Sequence, residues 1–423
     1  RSTILQSTAT TVLLLLGVEA RYEWAEWFGL VGMNDSLSFG FSNSTLQLWA
    51  LFDSIILSSN NYKFDQTIVE RSLHALKDSN HFSGIGFVFG NVGAYSGRYS
   101  QPMMSCLSLL DLGAKESFNA GEYLPYIACF SNKIVVSFSS GLPLPKIQEN
   151  ITKFYDFLLS CGDVVVAGRY YSKLLDQLVS PSSQDLLEKS YFSKKQWDVL
   201  SNSAAIGAYH HLRLQNYFWH TQYNDVLNYY QKEKGELYRL RGMAPVDDNA
   251  FLYAISCLQC GEIEGGEFRA SVASIDELAS VYPPNFRHKM LLIEAENCRL
   301  NGDSTASEKY QQAAIDAKEN GFIQMYALAH ELHALYWKNQ GRLDYTRYHI
   351  TKAMQGYQRW GCALKLEQLY DQFGQSLNFQ YSLSSWTPVS QPQLVGGNYD
   401  HVKTPNIQRQ KALLKIVNMV SGE

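Results

Sequence analysis

Apolar residues recur along most of the chain at the three-to-four-residue spacing of amphipathic helices, and few stretches show the alternation of a strand. Segments of this kind run over 63–78, 100–117, 124–140, 145–160, 194–218, 222–238, 248–260, 267–281, 286–301, 304–320, 323–340, 343–360 and 362–373, among others. The breaks between them fall at Gly, Asn, Ser or Pro, as in Ser140-Gly141-Leu142-Pro143 and Tyr282-Pro283-Pro284. Such residues supply turn geometry or end helices. Pro125, Pro145 and Pro181 each stand where a helix could begin, a position that tolerates the missing N–H.

A pattern of small residues then narrows the fold. Ala254, Gly261, Gly266 and Ala273 are followed by Ala295, Gly302, Ser307 and Ala314, and then by Ala334, Gly341, Thr346 and Ala353. The internal steps are seven, five and seven residues in each set. Small residues on two successive helices let them approach closely, and the Gly sits at the turn between them. This is the logic of a tetratricopeptide helix pair, here stretched beyond the usual period of about 34 residues. The predicted fold is all-α, a TPR-like α-solenoid of antiparallel helix pairs. Residues 1–240 read as degenerate helical repeats, and 241–373 as the clearer ones. Residues 374–423 read as a polar linker and an amphipathic helix leading toward an output domain. Gly86, Gly90 and Gly93 share one helical face, which predicts close packing against a neighbouring helix.

Composition excludes several classes. Across 423 residues, 18% are charged and 13% aromatic, which is not the make-up of a disordered chain. A net charge of −4 and the absence of any Lys/Arg run argue against a general nucleic-acid binder. The apolar run from Val12 to Val18 is far short of the ~20 residues that span a bilayer. Seven widely spaced cysteines form no disulfide framework and read as reduced thiols of a cytoplasmic protein.

The chemistry-bearing motifs are incomplete. No Gly-Lys pair exists, so there is no Walker A loop. Gly84-Ile85-Gly86 with Gly90 resembles a dinucleotide fingerprint, but its third Gly is one residue late and sits inside a helical segment. His330 and His333 stand at i, i+3, where zinc-protease chemistry needs i, i+4 so that both imidazoles reach one metal. They read as a packed His333 and a partly exposed His330. Cys257 and Cys260 form a lone Cys-x-x-Cys within a helix and read as core residues. His210, His211 and His220 lie near Tyr217 and Trp219 in a Tyr-rich helix. None of these makes a nucleophile–base set, so no catalytic residue, metal or cofactor is assigned.

The C-terminal third carries a resemblance. It rests on Phe286-Arg287-His288-Lys289-Met290-Leu291-Leu292-Ile293-Glu294-Ala295-Glu296, then Arg299-Leu300-Asn301-Gly302-Asp303, then Glu319-Asn320-Gly321-Phe322-Ile323-Gln324. It continues through Ala327-Leu328-Ala329-His330-Glu331-Leu332 and Tyr357-Gln358-Arg359-Trp360-Gly361-Cys362. This text resembles the helical-repeat segment of the multi-sensor multi-kinases, large signalling proteins with a Ser/Thr-kinase-like domain and a STAND-type ATPase. Their repeats precede GAF and histidine-kinase or cyclase domains. The resemblance implies a non-catalytic sensor or protein-interaction module that binds a peptide, protein or small effector. It also implies a structural job for Trp360-Gly361 in closing the last helix pair. None of the family's catalytic motifs falls on these residues. An inducer-binding domain of a STAND-type transcriptional activator and a plain scaffold stay open as alternatives.

If the helices stack as a solenoid, the exposed inner-helix positions fall on Lys289, Leu292, Glu296, Arg299 and Leu300. In the next pair they fall on Leu328, Glu331, Leu335, Lys338 and Asn339. Among these, Lys289, Glu296, Arg299, Glu331 and Lys338 are the candidate binding residues, because charged side chains on a solenoid groove can grip a peptide.

Overall fold

The structure, a computed structural model, describes residues 22–39, 45, 47–49, 84–161, 167–180 and 205–374. The expected linker and last amphipathic helix, beyond Gly374, lie outside the described residues, as does the helix start at Pro181. Every regular element described is helical. In chain order they are α1 (Tyr22–Phe39), α2 (Ile85–Asn91), α3 (Met103–Ala120), α4 (Tyr123–Ser139), α5 (Leu144–Cys161), α6 (Ala167–Val179), α7 (Ala205–Trp219) and α8 (Tyr223–Leu237). There follow α9 (Ala244–Cys260), α10 (Gly266–Val281), α11 (Pro283–Leu300), α12 (Ala306–Glu319), α13 (Ile323–Asn339), α14 (Leu343–Trp360) and α15 (Ala363–Phe373). Consecutive helices pack against each other from α7 to α15, the arrangement of an α-solenoid.

Local chemistry sets the helix ends. Pro residues open α9 and α11, and Gly261, Gly302 and Gly341 follow α9, α11 and α13 with φ of +77°, +68° and +70°. A residue with a Cβ is strained at such angles, so Gly turns the chain into the next helix. Ala254, Ala295, Ala334 and Ala353 are fully buried, and Ala314 nearly so. The small-residue pattern fails in one place. Gly266 and Ala273 are exposed, because α10 turns Ser271, Ile275 and Leu278 inward instead.

The Gly-rich face of α2 is a packing surface. A Cβ on Gly86 would come within 2.6 Å of the Gly113 carbonyl, and one on Gly90 within 2.5 Å of the Cys129 sulfur. One on Gly93 would meet the Cys106 carbonyl at 2.9 Å. Any side chain there would force α2 away from α3 and α4, which accounts for the spacing that resembles a nucleotide fingerprint.

The array does not stay open. The C-terminal end of α4, the α7–α8 turn and the start of α5 lie against α9, the start of α13 and the α14–α15 turn. Phe138 of α4 meets Trp360 at a centroid distance of 5.9 Å, and Trp219 of α7 meets Trp360 at 4.8 Å. Phe218 packs on Phe251 at 6.5 Å. Pro145 closes on Gly361. No helix among the described residues is long and apolar enough to cross a membrane.

Candidate functional site

The candidate residues sort into two groups. Lys289, Glu296 and Glu331, expected to be exposed, are buried at 3%, 1% and 4% of their accessible surface. Leu292 and Leu328, placed on the same face, are buried as well. Arg299 is half-buried, and Lys338 alone of the five is exposed. The inner face is therefore covered by the chain's own helices, which corrects the expectation of an open groove lined by these three charges.

Each buried charge has a partner that satisfies it. Lys289 Nζ donates to Asp248 Oδ1 at 2.6 Å, and Ser139 Oγ donates to Asp248 Oδ2 at 2.6 Å. Burial pushes the Asp248 carboxyl up, but Lys289, His211 and the two hydrogen bonds together hold it below its ordinary value. Glu296 accepts from Arg299 Nε and Gln259 Nε2, both at 2.7 Å, and from the Tyr310 hydroxyl. Its carboxyl is nevertheless raised, because desolvation outweighs the Arg299 charge. Glu331 accepts from Lys365 Nζ at 2.7 Å and from the Tyr357 hydroxyl at 2.5 Å. Burial and the nearby carboxylates of Glu331 and Glu296 raise the Tyr223 hydroxyl well above its ordinary value, so it stays protonated at the start of α8.

The same seam continues toward α2. Arg98 Nε donates to Asp247 Oδ2 at 2.7 Å, and Arg98 also reaches the Gly242 carbonyl at 2.9 Å. Asn285 Nδ2 donates to the carbonyls of Arg98 and Gln101, while its Oδ1 accepts from the Met103 amide. Gln324 Nε2 donates to the Ser139 carbonyl at 2.9 Å. Ser139, Gln215, Trp219, Asp248 and Gln324 surround a cavity that leaves about 10 Å³ for the centre of a water molecule, room for roughly one.

Most of the described histidines and cysteines lie in the core. His330 is buried, not partly exposed, and its Nδ1 lies 2.9 Å from His349 Nδ1. His333 stacks near His349 at 3.8 Å between centroids, and its Nε2 meets Ser307 Oγ and Trp337 Nε1 at 2.9 Å each. Desolvation lowers all three imidazoles, His330 and His333 to about 3 and His349 to about 4. No cluster of potential metal ligands forms among the described residues. Cys257 is buried, and burial raises its thiol to about 11; Cys260 is half-buried. His211 Nδ1 pairs with Asn249 Oδ1 at 2.7 Å, and His210 Nδ1 pairs with the Tyr229 hydroxyl at 2.7 Å.

Sequence reasoning missed Arg98, Asp247, Asp248, Tyr357, Lys365 and His349. The signal for Asp247 and Asp248 was weak, since acids in a helix's first turn are usual. Their partners Arg98 and Ser139 lie 149 and 109 residues away, beyond any local pattern. Comparison with known protein families and with curated proteins returns no match.

Proposed function

We propose that this chain is a non-catalytic sensor and protein-interaction module of a cytoplasmic multidomain signalling protein. Its partner is a protein, a peptide or a small effector. The resemblance of residues 286–373 to the repeat segment of multi-sensor multi-kinases supports the signalling context. The observation that carries the non-catalytic reading is the state of the buried charged groups. Lys289, Glu296, Glu331, Asp247 and Asp248 each face a protein partner, and no open pocket brings two of them to a substrate. General acid–base work needs such a group within reach of a reacting proton.

The test is direct. The purified chain, incubated with ATP and Mg²⁺, should release no phosphate and incorporate none. Turnover that survives repurification and disappears on a point substitution in this chain would contradict the reading. A plain scaffold is the second reading, and the closed seam favours it. The buried Arg98–Asp247 ion pair and the Ser139 and Asn285 hydrogen bonds, which lock the N-terminal part to α9 and α11, suit a rigid body better than a switching one. A parent protein whose output stays the same with and without bound partner would select the scaffold.

A further inference from the structure

The face of α14 turned away from the core carries Tyr345, Tyr348, Lys352, Gln355 and Arg359 at three-to-four-residue steps, a continuous stripe along one side of the helix. Tyr345 and Tyr348 are 46% and 56% exposed, and Leu343 at the helix start is 57% exposed. Trp27, Leu30 and Val31 of α1 form another such exposed run, but no cation lies among them. The stripe is also cationic. Arg342, Arg347, Lys352 and Arg359 make no ion pair among the described residues, with Asp344 the one acid on the helix. Several exposed or half-buried cations elsewhere pair with carboxylates. Lys133 pairs with Asp111, Lys146 and Lys153 with Glu149, Lys234 with Glu267, and Lys309 with Glu294.

We infer that the stripe of Tyr345, Tyr348, Lys352 and Arg359 on α14, with Arg342 at its head and Arg347 on its flank, docks an acidic, partly aromatic or aliphatic protein segment. Charge complementarity selects the acid, because four cations without carboxylate partners gain most from carboxylates, and Arg presents a fork that matches them. The exposed tyrosines select a segment with apolar side chains between its acids, since Tyr and Arg dominate the energetic centres of interfaces. A nucleic acid fits less well. Tyr345 already stacks on Trp337 at 4.7 Å, and Arg342 lies over its ring at 5.0 Å, so a base finds this ring occupied. Lys352 likewise lies 5.6 Å from the Tyr348 ring. Spacing sets the register. Lys352 and Arg359 are seven residues apart on a helix, about 10 Å, which a segment in polyproline II conformation covers in about three residues, with the side chains at both ends on one side. A partner with acids about three residues apart meets both.

The inference rests on the interaction-module reading and fails separately from it, because ATP turnover tests that reading without reference to α14. The experiment measures fluorescence anisotropy of a fluorescein-labelled peptide built from Glu-Phe-Leu units against the whole chain. A Gln-Phe-Leu peptide and an oligouridylate RNA serve as comparisons. The acidic peptide should bind, weaken as salt rises, and exceed the neutral peptide at least tenfold. The triple variant Arg347→Glu, Lys352→Glu, Arg359→Glu should lose at least tenfold in affinity with an unchanged helical spectrum and melting temperature. Should the triple variant fold poorly, Tyr345→Ser with Tyr348→Ser provides a neutral alternative and should also lose at least tenfold. Equal binding of the acidic and neutral peptides would overturn the proposal. So would unchanged affinity in folded variants, or tight RNA binding without peptide binding.

Discussion

Glu331 shows how far a buried residue depends on its partners. Its carboxylate takes a proton donor on each side, Lys365 from α15 and Tyr357 from α14, with all three side chains inside the core. Removing one member strands the other in a low-dielectric site, so Glu331→Ala should cost about 3–5 kcal/mol. Replacing both charges, Glu331→Leu with Lys365→Met, should recover most of that loss in urea melts. The histidines make the opposite case, buried without charge. Their folded pKa values of about 3, 3 and 4 lie below the ordinary 6.5. Below pH 6.5 the unfolded chain takes up protons that the folded chain refuses. Stability from this cluster is therefore complete above 6.5 and declines as pH falls toward 4, by about 2 kcal/mol per histidine at pH 5. Melting temperatures at pH 7 and pH 5 should show the decline, and His349→Phe should make it shallower. A flat profile would mean the imidazoles are solvated.

At the level of elements, helix spacing and turn chemistry were local and legible. Gly261, Gly302 and Gly341 were placed at turns by the small-residue pattern, and they hold the positive φ that only a turn requires. The packing of Gly86, Gly90 and Gly93 was legible for the same reason, since three glycines on one helical face have no other use there. The facing of each helix was less so. Ala273 matches the pattern yet points to solvent, because α10 follows its larger apolar residues Ile275 and Leu278. One close crossing is a place the pattern passed over. A Cβ on Gly356 of α14 would come within 2.8 Å of the Ala327 Cβ on α13. Gly356→Val should overpack this pair and destabilise by about 1–3 kcal/mol, read as a lowered urea midpoint with an unchanged slope. An unaltered midpoint would mean that α13 and α14 lie farther apart.

The whole molecule is where sequence reasoning went furthest astray. An open solenoid would leave Lys289, Glu296 and Glu331 in its groove. Instead, α4, the α7–α8 turn and the segment around Arg98 close that side, bringing Ser139 onto α9, Tyr223 near Glu296 and Glu331, and Phe138 and Trp219 onto Trp360 at the end of α14. The covering residues are separated from their partners by a hundred residues or more of sequence in pairs such as Ser139–Asp248 and Arg98–Asp247. No periodicity within 241–373 carries that information. The consequence for the proposed function is that, with the inner face filled, docking would fall to outer surfaces such as α14. Lysine labelling with an amine-reactive reagent on the native chain, mapped by mass spectrometry, tests this closure most directly. Lys289 and Lys365, nearly fully buried, should stay unmodified while the exposed Lys338 and the half-buried Lys352 react. Modification of Lys289 and Lys365 as fast as Lys338, with the fold intact, would show an open groove and contradict the account.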